Sequence, residues 1–176
     1  YMTHSPLTRL QKFRLLSLTP LYFMIVGLFL QPITEILPGL WTLIKEPDFL
    51  ITDYFLVGGI GTSFINAGLL TLLCIWTIYF LGMEMDGHTI TSSCLMFGFS
   101  LFGKNLLNIW AILLGVYIYA HYHKMHLSRY VYIGFYGTSL SPIITQIMYI
   151  TDLPYLLRLF ISLAVGLMIG FVLPPL

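Results

Sequence analysis

Charge is scarce in this chain. Only 9% of its residues are Asp, Glu, Lys or Arg against 58% hydrophobic ones, and mean hydropathy is +0.89. A water-soluble domain carries about 25% charge, so that class is excluded and an integral membrane protein remains. No run of Lys or Arg exists and the net charge is +1. Nothing here would grip phosphates, and nucleic acid is not an expected partner. Cysteine is nearly absent. Cys74 and Cys94 both lie in apolar runs and read as small buried hydrophobes, not as a disulfide framework. The chain also lacks a Gly-x-Ser-x-Gly elbow, a His-Glu-x-x-His motif and paired carboxylates within its apolar runs. The serines of Gly137-Thr-Ser-Leu-Ser141 have no His base in register. His121, His123 and His126 are spaced i, i+2, i+5, which does not fall on one helical face, and no Cys or carboxylate accompanies them. No catalytic residue, metal site or cofactor is expected, and the chain is not read as an enzyme.

What the chain does have is long apolar runs with a few polar residues inside them. Arg9, Lys12 and Arg14 precede a run from Leu15 to Leu30. A positive segment before an apolar one resembles a signal peptide, but no small-x-small cleavage site follows, so a retained first span with a cytoplasmic amino terminus is expected. Residues 32–53 form a Pro-containing loop with Glu35, Glu46, Asp48 and Asp53 against Lys45, in which Ile36 to Ile44 with Trp41 suits a short interfacial helix. Further runs cover Tyr54–Leu81, Thr89–Ala120, Tyr130–Tyr149 and Tyr155–Leu173. In the last of these, Gly166 and Gly170 make a Gly-x-x-x-Gly pair that favours close helix contact.

One run stands out. Thr89 to Ala120 is 32 residues, a helix of roughly 48 Å at 1.5 Å per residue, while the hydrocarbon core is about 30 Å thick. Its middle, Phe97-Gly-Phe-Ser-Leu-Phe-Gly-Lys-Asn-Leu-Leu-Asn-Ile109, holds Lys104, Asn105 and Asn108. An ionisable residue at membrane depth is expensive and marks a functional site by default. A break at Gly103-Lys104-Asn105 resolves the length, and irregular backbone at that depth is tolerated where it is buried in protein or lines a cavity. Lys104 either snorkels to an interface or sits in a cavity, where a desolvated lysine can lose its proton. The run Tyr54–Leu81 opens similarly, with Gly58-Gly-Ile-Gly-Thr-Ser-Phe-Ile-Asn-Ala-Gly68. Either its glycines allow tight helix packing, or the stretch is unwound and Gly61, Thr62 and Asn66 face a solute. Asn66, Asn105 and Asn108 offer donors and acceptors, or they are hydrogen-bond glue between helices. Gly59-x6-Asn66 and Gly98-x6-Asn105 form a faint internal echo.

Topology contains a conflict. If the first three runs are single crossings, the basic loop 121–129 lies outside, whereas Lys124 and Arg129 prefer the inside. Two short crossings within 89–120 would restore the rule; a re-entrant hairpin, returning to its own side, is expected to leave the conflict.

The stretches Gly58–Leu70 and Gly98–Ile109 resemble a bacterial multi-pass membrane family catalogued as domain of unknown function 1576, and the likeness runs through most of the chain. The resemblance implies an architecture, with a second half continuing after Leu173-Pro-Pro, and no established activity. A looser, fold-level similarity links the chain to urea-transporter-like proteins, which are also built from two repeated halves with broken segments. The start at Tyr1 and the end directly after an apolar run also read as a fragment of a longer chain.

The expectation is therefore an all-α polytopic transmembrane helical bundle of five to six crossings, with one or two broken or re-entrant helices. Residues 1–176 would be a single transmembrane domain, the first half of a longer two-repeat protein of the bacterial cytoplasmic membrane. Its expected function is as half of a transporter or channel for a small polar solute or ion, with Lys104, Asn105, Asn108, Asn66, Gly61 and Thr62 at the site. The alternative is a non-transporting scaffold or assembly subunit. Partners would be the lipid bilayer, the solute and the second half of the chain, with a homo-oligomer left open.

Overall fold

A computed structural model describes residues 7–46, 52–150 and 152–175. Tyr1–Pro6, with Pro47 and Asp48 of the acidic loop and Thr151 of the turn before the last run, lie outside the described residues. Among the described residues there are helices and no strands. The helices are α1 (Arg9–Leu30), α2 (Ile33–Lys45), α3 (Tyr54–Gly58), α4 (Ile60–Phe80), α5 (Gly87–Phe99), α6 (Trp110–Tyr122), α7 (Val131–Gly137), α8 (Pro142–Ile150) and α9 (Tyr155–Val172). Of these α1, α4 and α9 are long and apolar enough to cross a membrane. Beside a buried apolar core, the molecule exposes large apolar side chains and buries many polar ones. Leu18, Tyr22, Ile25 and Phe29 make an exposed apolar stripe along α1, while Thr62, Asn66, Ser92, Ser100, Lys104 and Asn105 are buried. An apolar face of that extent belongs against another apolar phase.

The central pair is α1 against α4, antiparallel. A Cβ on Gly61 would run into the Gly27 carbonyl, and one on Gly68 into Met24, so these glycines let the two backbones approach. At one end of the pair Arg9 donates from Nε to the Met83 carbonyl at 2.7 Å and from Nη2 to the Tyr79 carbonyl, and its guanidinium lies over the Tyr79 ring at 4.3 Å. It thus caps the carboxyl end of α4, where a positive charge is favoured by the helix dipole. The core beneath consists of Phe13, Leu70, Cys74, Ile75, Ile78, Met96, Ile109, Val131 and Phe135.

Of the two readings open for Gly58–Gly68, tight packing holds for most of the stretch, and unwinding is confined to one residue. Gly59 has φ +89°, in the region that glycine alone enters freely, and it separates α3 from α4. The remaining glycines stay helical and serve packing. The break is bridged by Gln31, whose Nε2 donates to the Gly58 carbonyl at 3.1 Å and whose Oε1 accepts from the Thr62 N–H at 3.0 Å. That N–H is one of the orphan donors of the first turn of α4, so Gln31 caps a helix to which it does not belong.

The long run 89–120 folds as a hairpin. α5 and α6 have 13 residues each, about 20 Å of helix, too short to cross. The turn before α5 lies beside Arg9, which pairs with Glu84 at 3.9 Å. The end of α6 returns to the same end of the bundle, where Leu81, His121 and Met125 line one small cavity. This corrects the expectation that a re-entrant hairpin would leave the topology in conflict. The hairpin starts on the side of Arg9, so returning to its own side brings Lys124 and Arg129 to the side of Arg9 as well. The run 130–149 becomes α7, a 3-10 turn at Thr138–Leu140, and α8. A helix, α2, covers the expected Ile36–Ile44, with Ile36 and Leu43 buried and Trp41 exposed. Finally, α6 packs parallel to α9. A Cβ on Gly170 would meet the Ile112 carbonyl and Gly115, and one on Gly166 would meet Ala111. The Gly-x-x-x-Gly pair therefore meets Ala111 and Gly115 on the facing helix.

Candidate functional site

The tip of the hairpin, Ser100 to Ile109, is where the polar residues gather. Its geometry follows from local rules. α5 ends with the Lys104 N–H closing onto the Phe99 carbonyl at 3.2 Å and Gly103 at φ +110° just before it, the glycine-terminated helix end in which a six-to-one bond satisfies a late carbonyl. The chain then restarts. The Asn105 N–H donates to Asn108 Oδ1 at 3.0 Å, and the Asn108 N–H donates to Asn105 Oδ1 at 3.0 Å. This reciprocal pair is a capping box made of two asparagines, and it starts the turn that leads into α6.

The tip is held on its other sides by side chains from distant elements. Asn66 Nδ2, from α4, donates to the Ser100 and Lys104 carbonyls at 2.8 and 2.9 Å. Asn108 Nδ2 donates to the Gly103 carbonyl at 2.8 Å and to Thr145 Oγ1 at 3.0 Å. Asn105 Nδ2 is less well served, reaching the Leu43 carbonyl at 3.5 Å and the Tyr54 hydroxyl at 3.4 Å, both at the weak limit. Lys104 is 1% exposed. Its ammonium lies 5.4 Å from the centre of the Phe99 ring. Among the described residues no carboxylate pairs with it. A buried charge is usually paired; here the contact of the ammonium is with the face of the Phe99 ring.

The expected site residues thus divide. Lys104, Asn105, Asn108 and Asn66 converge at the tip. Gly61 and Thr62 do not: they are buried at the start of α4 against Gln31 and Gly27. Reading the sequence alone missed Gln31, Tyr54, Thr145 and the Leu43 carbonyl. It also missed Arg158, whose Nη1 donates to the Met148 carbonyl at 3.1 Å while its Nε is buried without a partner. The asparagine pair carried a local signal, because Asn-x-x-Asn before an apolar run fits a helix start as well as a ligand set.

Beside the tip lies a cavity of about 520 Å³. Asn105, Asn108, Thr145 and Ser162 supply its polar wall, with Trp41, Lys45 and Tyr155 also lining it. The Lys45 ammonium rests on the Trp41 ring at 4.7 Å. At the opposite end of α5, the exposed Asp86 caps the helix. Its Oδ1 accepts from the Thr89 N–H at 2.9 Å, from Thr89 Oγ1 at 3.1 Å and from the Tyr132 hydroxyl at 3.1 Å. The Thr89 N–H above all, with Tyr132 adding to it, holds this carboxyl below its ordinary range. The histidines of the basic loop are engaged locally, His123 against the Tyr119 ring at 4.3 Å and His126 with Ser128 Oγ at 2.8 Å.

Fold and site together define an all-α protein whose long apolar helices suit it to a membrane and whose polar residues are collected inside, at a broken segment. The chain belongs to the family described as "Protein of unknown function (DUF1576)", whose model matches residues 32–176. Neither a curated protein nor a solved structure gives a significant match.

Proposed function

We propose that the chain is half of a membrane transporter or channel for a small polar solute or ion, with its site at the hairpin tip and the adjoining cavity. In this proposal it lies in a bacterial cytoplasmic membrane with its amino terminus cytoplasmic. α7 and α8 together add a fourth crossing to α1, α4 and α9, and a second half of the same chain closes the site. One observation carries the proposal: Lys104 is buried at a helix break without a carboxylate partner among the described residues, next to a cavity that Asn105 and Asn108 line. Broken helices meeting at membrane depth are the usual setting of a transport site. The weakly engaged Asn105 amide is the group best placed to bind a solute, and Lys104 supplies the nearby charge. Gly61 and Thr62 hold the start of α4 in place and are not assigned to the solute.

The test is solute flux into proteoliposomes holding the full-length protein, using a panel of small neutral solutes, anions and cations, for wild type, Lys104→Met and Asn105→Leu. Flux of one class, lost in both variants, is expected. Flux unchanged in both would remove the tip from the pathway.

A scaffold or assembly subunit is the competing proposal. What favours it is that Asn66 and Asn108 already spend their amides on the hairpin backbone. Single cysteines at 104, 105, 108 and 145 separate the two. Modification by water-soluble reagents supports a pathway, and protection of all four in folded protein supports the scaffold.

A further inference from the structure

The cavity of about 520 Å³ beside the hairpin tip is lined in a way that selects among ligands. Most of its wall is aliphatic, from Ile44, Leu107, Ile144, Met148, Leu159 and Leu163. Its volume lies in the range of small-molecule sites and exceeds what a bare ion needs. The charged side chain that lines it is Lys45, and none of the described residues lining it is Asp or Glu. Among the described residues no carboxylate pairs with the Lys45 ammonium, which rests on the Trp41 ring. The hydrogen-bonding groups of the polar wall are unevenly spent. Asn105 Oδ1 already accepts from the Leu107 and Asn108 N–H groups, at 2.9 and 3.0 Å, and Asn108 Oδ1 accepts from the Asn105 N–H at 3.0 Å. Donors are what is left. Asn105 Nδ2 is held at 3.5 and 3.4 Å, both weak. Thr145 Oγ1 accepts from Asn108 Nδ2 and keeps a proton to give. The longer Asn105 contact is to the carbonyl of Leu43, two residues before Lys45 on α2. The Asn105 donor therefore lies beside the end of α2 that carries Lys45. A cation entering the cavity would meet an ammonium and carbonyl oxygens already in use. An anion would meet that ammonium and open N–H and O–H groups.

We propose that the cavity takes a monocarboxylate with an apolar body, its head on Lys45 and the Asn105 and Thr145 donors, its body among the aliphatic side chains. The proposal rests on the reading of this cavity as the solute site, and narrows the solute to an organic anion. A charge taken out of water needs a counter-charge and hydrogen bonds together, and this wall offers both. One ammonium balances one negative charge, which favours a single carboxylate over a multiply charged phosphate. The aliphatic wall gives the body its share of the affinity, since each CH2 it buries tightens binding by about fourfold. Trp41 and Tyr155 are more than half exposed where they line the cavity, so it is open beside them.

The test reads binding without flux. Full-length protein in nanodiscs of zwitterionic lipid is titrated calorimetrically at neutral pH with octanoate, hexanoate, 1-octanol and octylammonium, with empty nanodiscs as the blank. Octanoate should bind about tenfold tighter than hexanoate, the factor that two buried CH2 groups supply. It should also bind about tenfold tighter than 1-octanol, which carries no charge. Lys45 is an exposed residue at a helix end. Lys45→Gln should erase the preference for octanoate over 1-octanol, and Lys45→Glu should make octylammonium the tighter ligand, a gain that a misfolded variant would not show. Equal binding of octanoate, 1-octanol and octylammonium, or an octanoate affinity untouched by either Lys45 change, overturns the proposal. Loss of octanoate binding in nanodiscs of anionic lipid would assign the cavity to a lipid headgroup and overturn it as well. Octanoate bound as expected but not carried into proteoliposomes would uphold this inference and remove transport. Flux of a neutral solute or a cation, lost in Asn105→Leu, would uphold transport and overturn this inference.

Discussion

Replacing Asn66 by alanine should destabilise the fold far more than its single amide suggests. Its Nδ2 holds two backbone carbonyls, those of Ser100 and Lys104, at 2.8 and 2.9 Å, and the side chain is 1% exposed. Both carbonyls belong to a reversal whose groups have no helical partner, so removal strands them where water does not reach. A buried polar group left unmet costs about 1–3 kcal/mol, giving about 2–6 kcal/mol for the pair. Interhelical hydrogen bonds within membranes average about 0.6 kcal/mol in double-mutant cycles, which sets a floor of about 1 kcal/mol. Asn66→Asp should do worse than alanine. The carboxylate has no N–H to offer and would face two carbonyl oxygens. The assay is reversible unfolding of the full-length protein in mixed micelles by a denaturing detergent. A loss under about 0.5 kcal/mol for Asn66→Ala, against the floor expected within membranes, would show that the tip does not depend on this amide.

Two further outcomes follow from packing and from charge. Gly170→Ala drives a Cβ into the Ile112 carbonyl and Gly115 and should cost about 1–3 kcal/mol by overpacking. Gly98→Ala, in α5 with nothing near its added methyl, should be neutral or stabilising by about 0.5–1 kcal/mol; paired unfolding curves decide both, and equal effects would refute the assigned contact. Asp86 is held below its ordinary range, chiefly by the Thr89 N–H. Its contribution is present above the unfolded carboxyl value and is lost as pH falls through the lower folded value. Acid titration of stability below about pH 4 should flatten there in Asp86→Asn, and an unchanged titration would refute the cap.

Much of the site could be read from the sequence because hydrocarbon imposes a length. A run too long for one span, with Lys104 at its middle, has to break, and it breaks at Gly103. The direction of the return could not be read this way. Hydropathy counts residues across a slab and says nothing of whether α6 runs onward or back; that is set by its contact with α9, which depends on Gly166 and Gly170 some fifty residues away. The same limit applied to Gly61. Packing and unwinding call for the same residue, and only its neighbour Gly27 on α1 decides. Gln31 went unnoticed because a cap from another helix leaves no local pattern. The spacing of Asn105 and Asn108 suits a ligand set, interhelical hydrogen bonds and the start of a turn alike, and the sequence does not choose among them.

The hairpin has its arms on different supports. α5 rests on α4, and through it on α1, whereas α6 is clasped backbone to backbone by α9. Those two supports are distinct, and α7 is the element that touches both arms. Any sliding or tilt of α9 relative to α4 is transmitted through stiff helices and becomes torsion in the short stretch joining them. Gly103, Lys104 and Asn105 therefore act as the knuckle of a two-armed linkage. A displacement arising far away would be felt first as a change in where that lysine points.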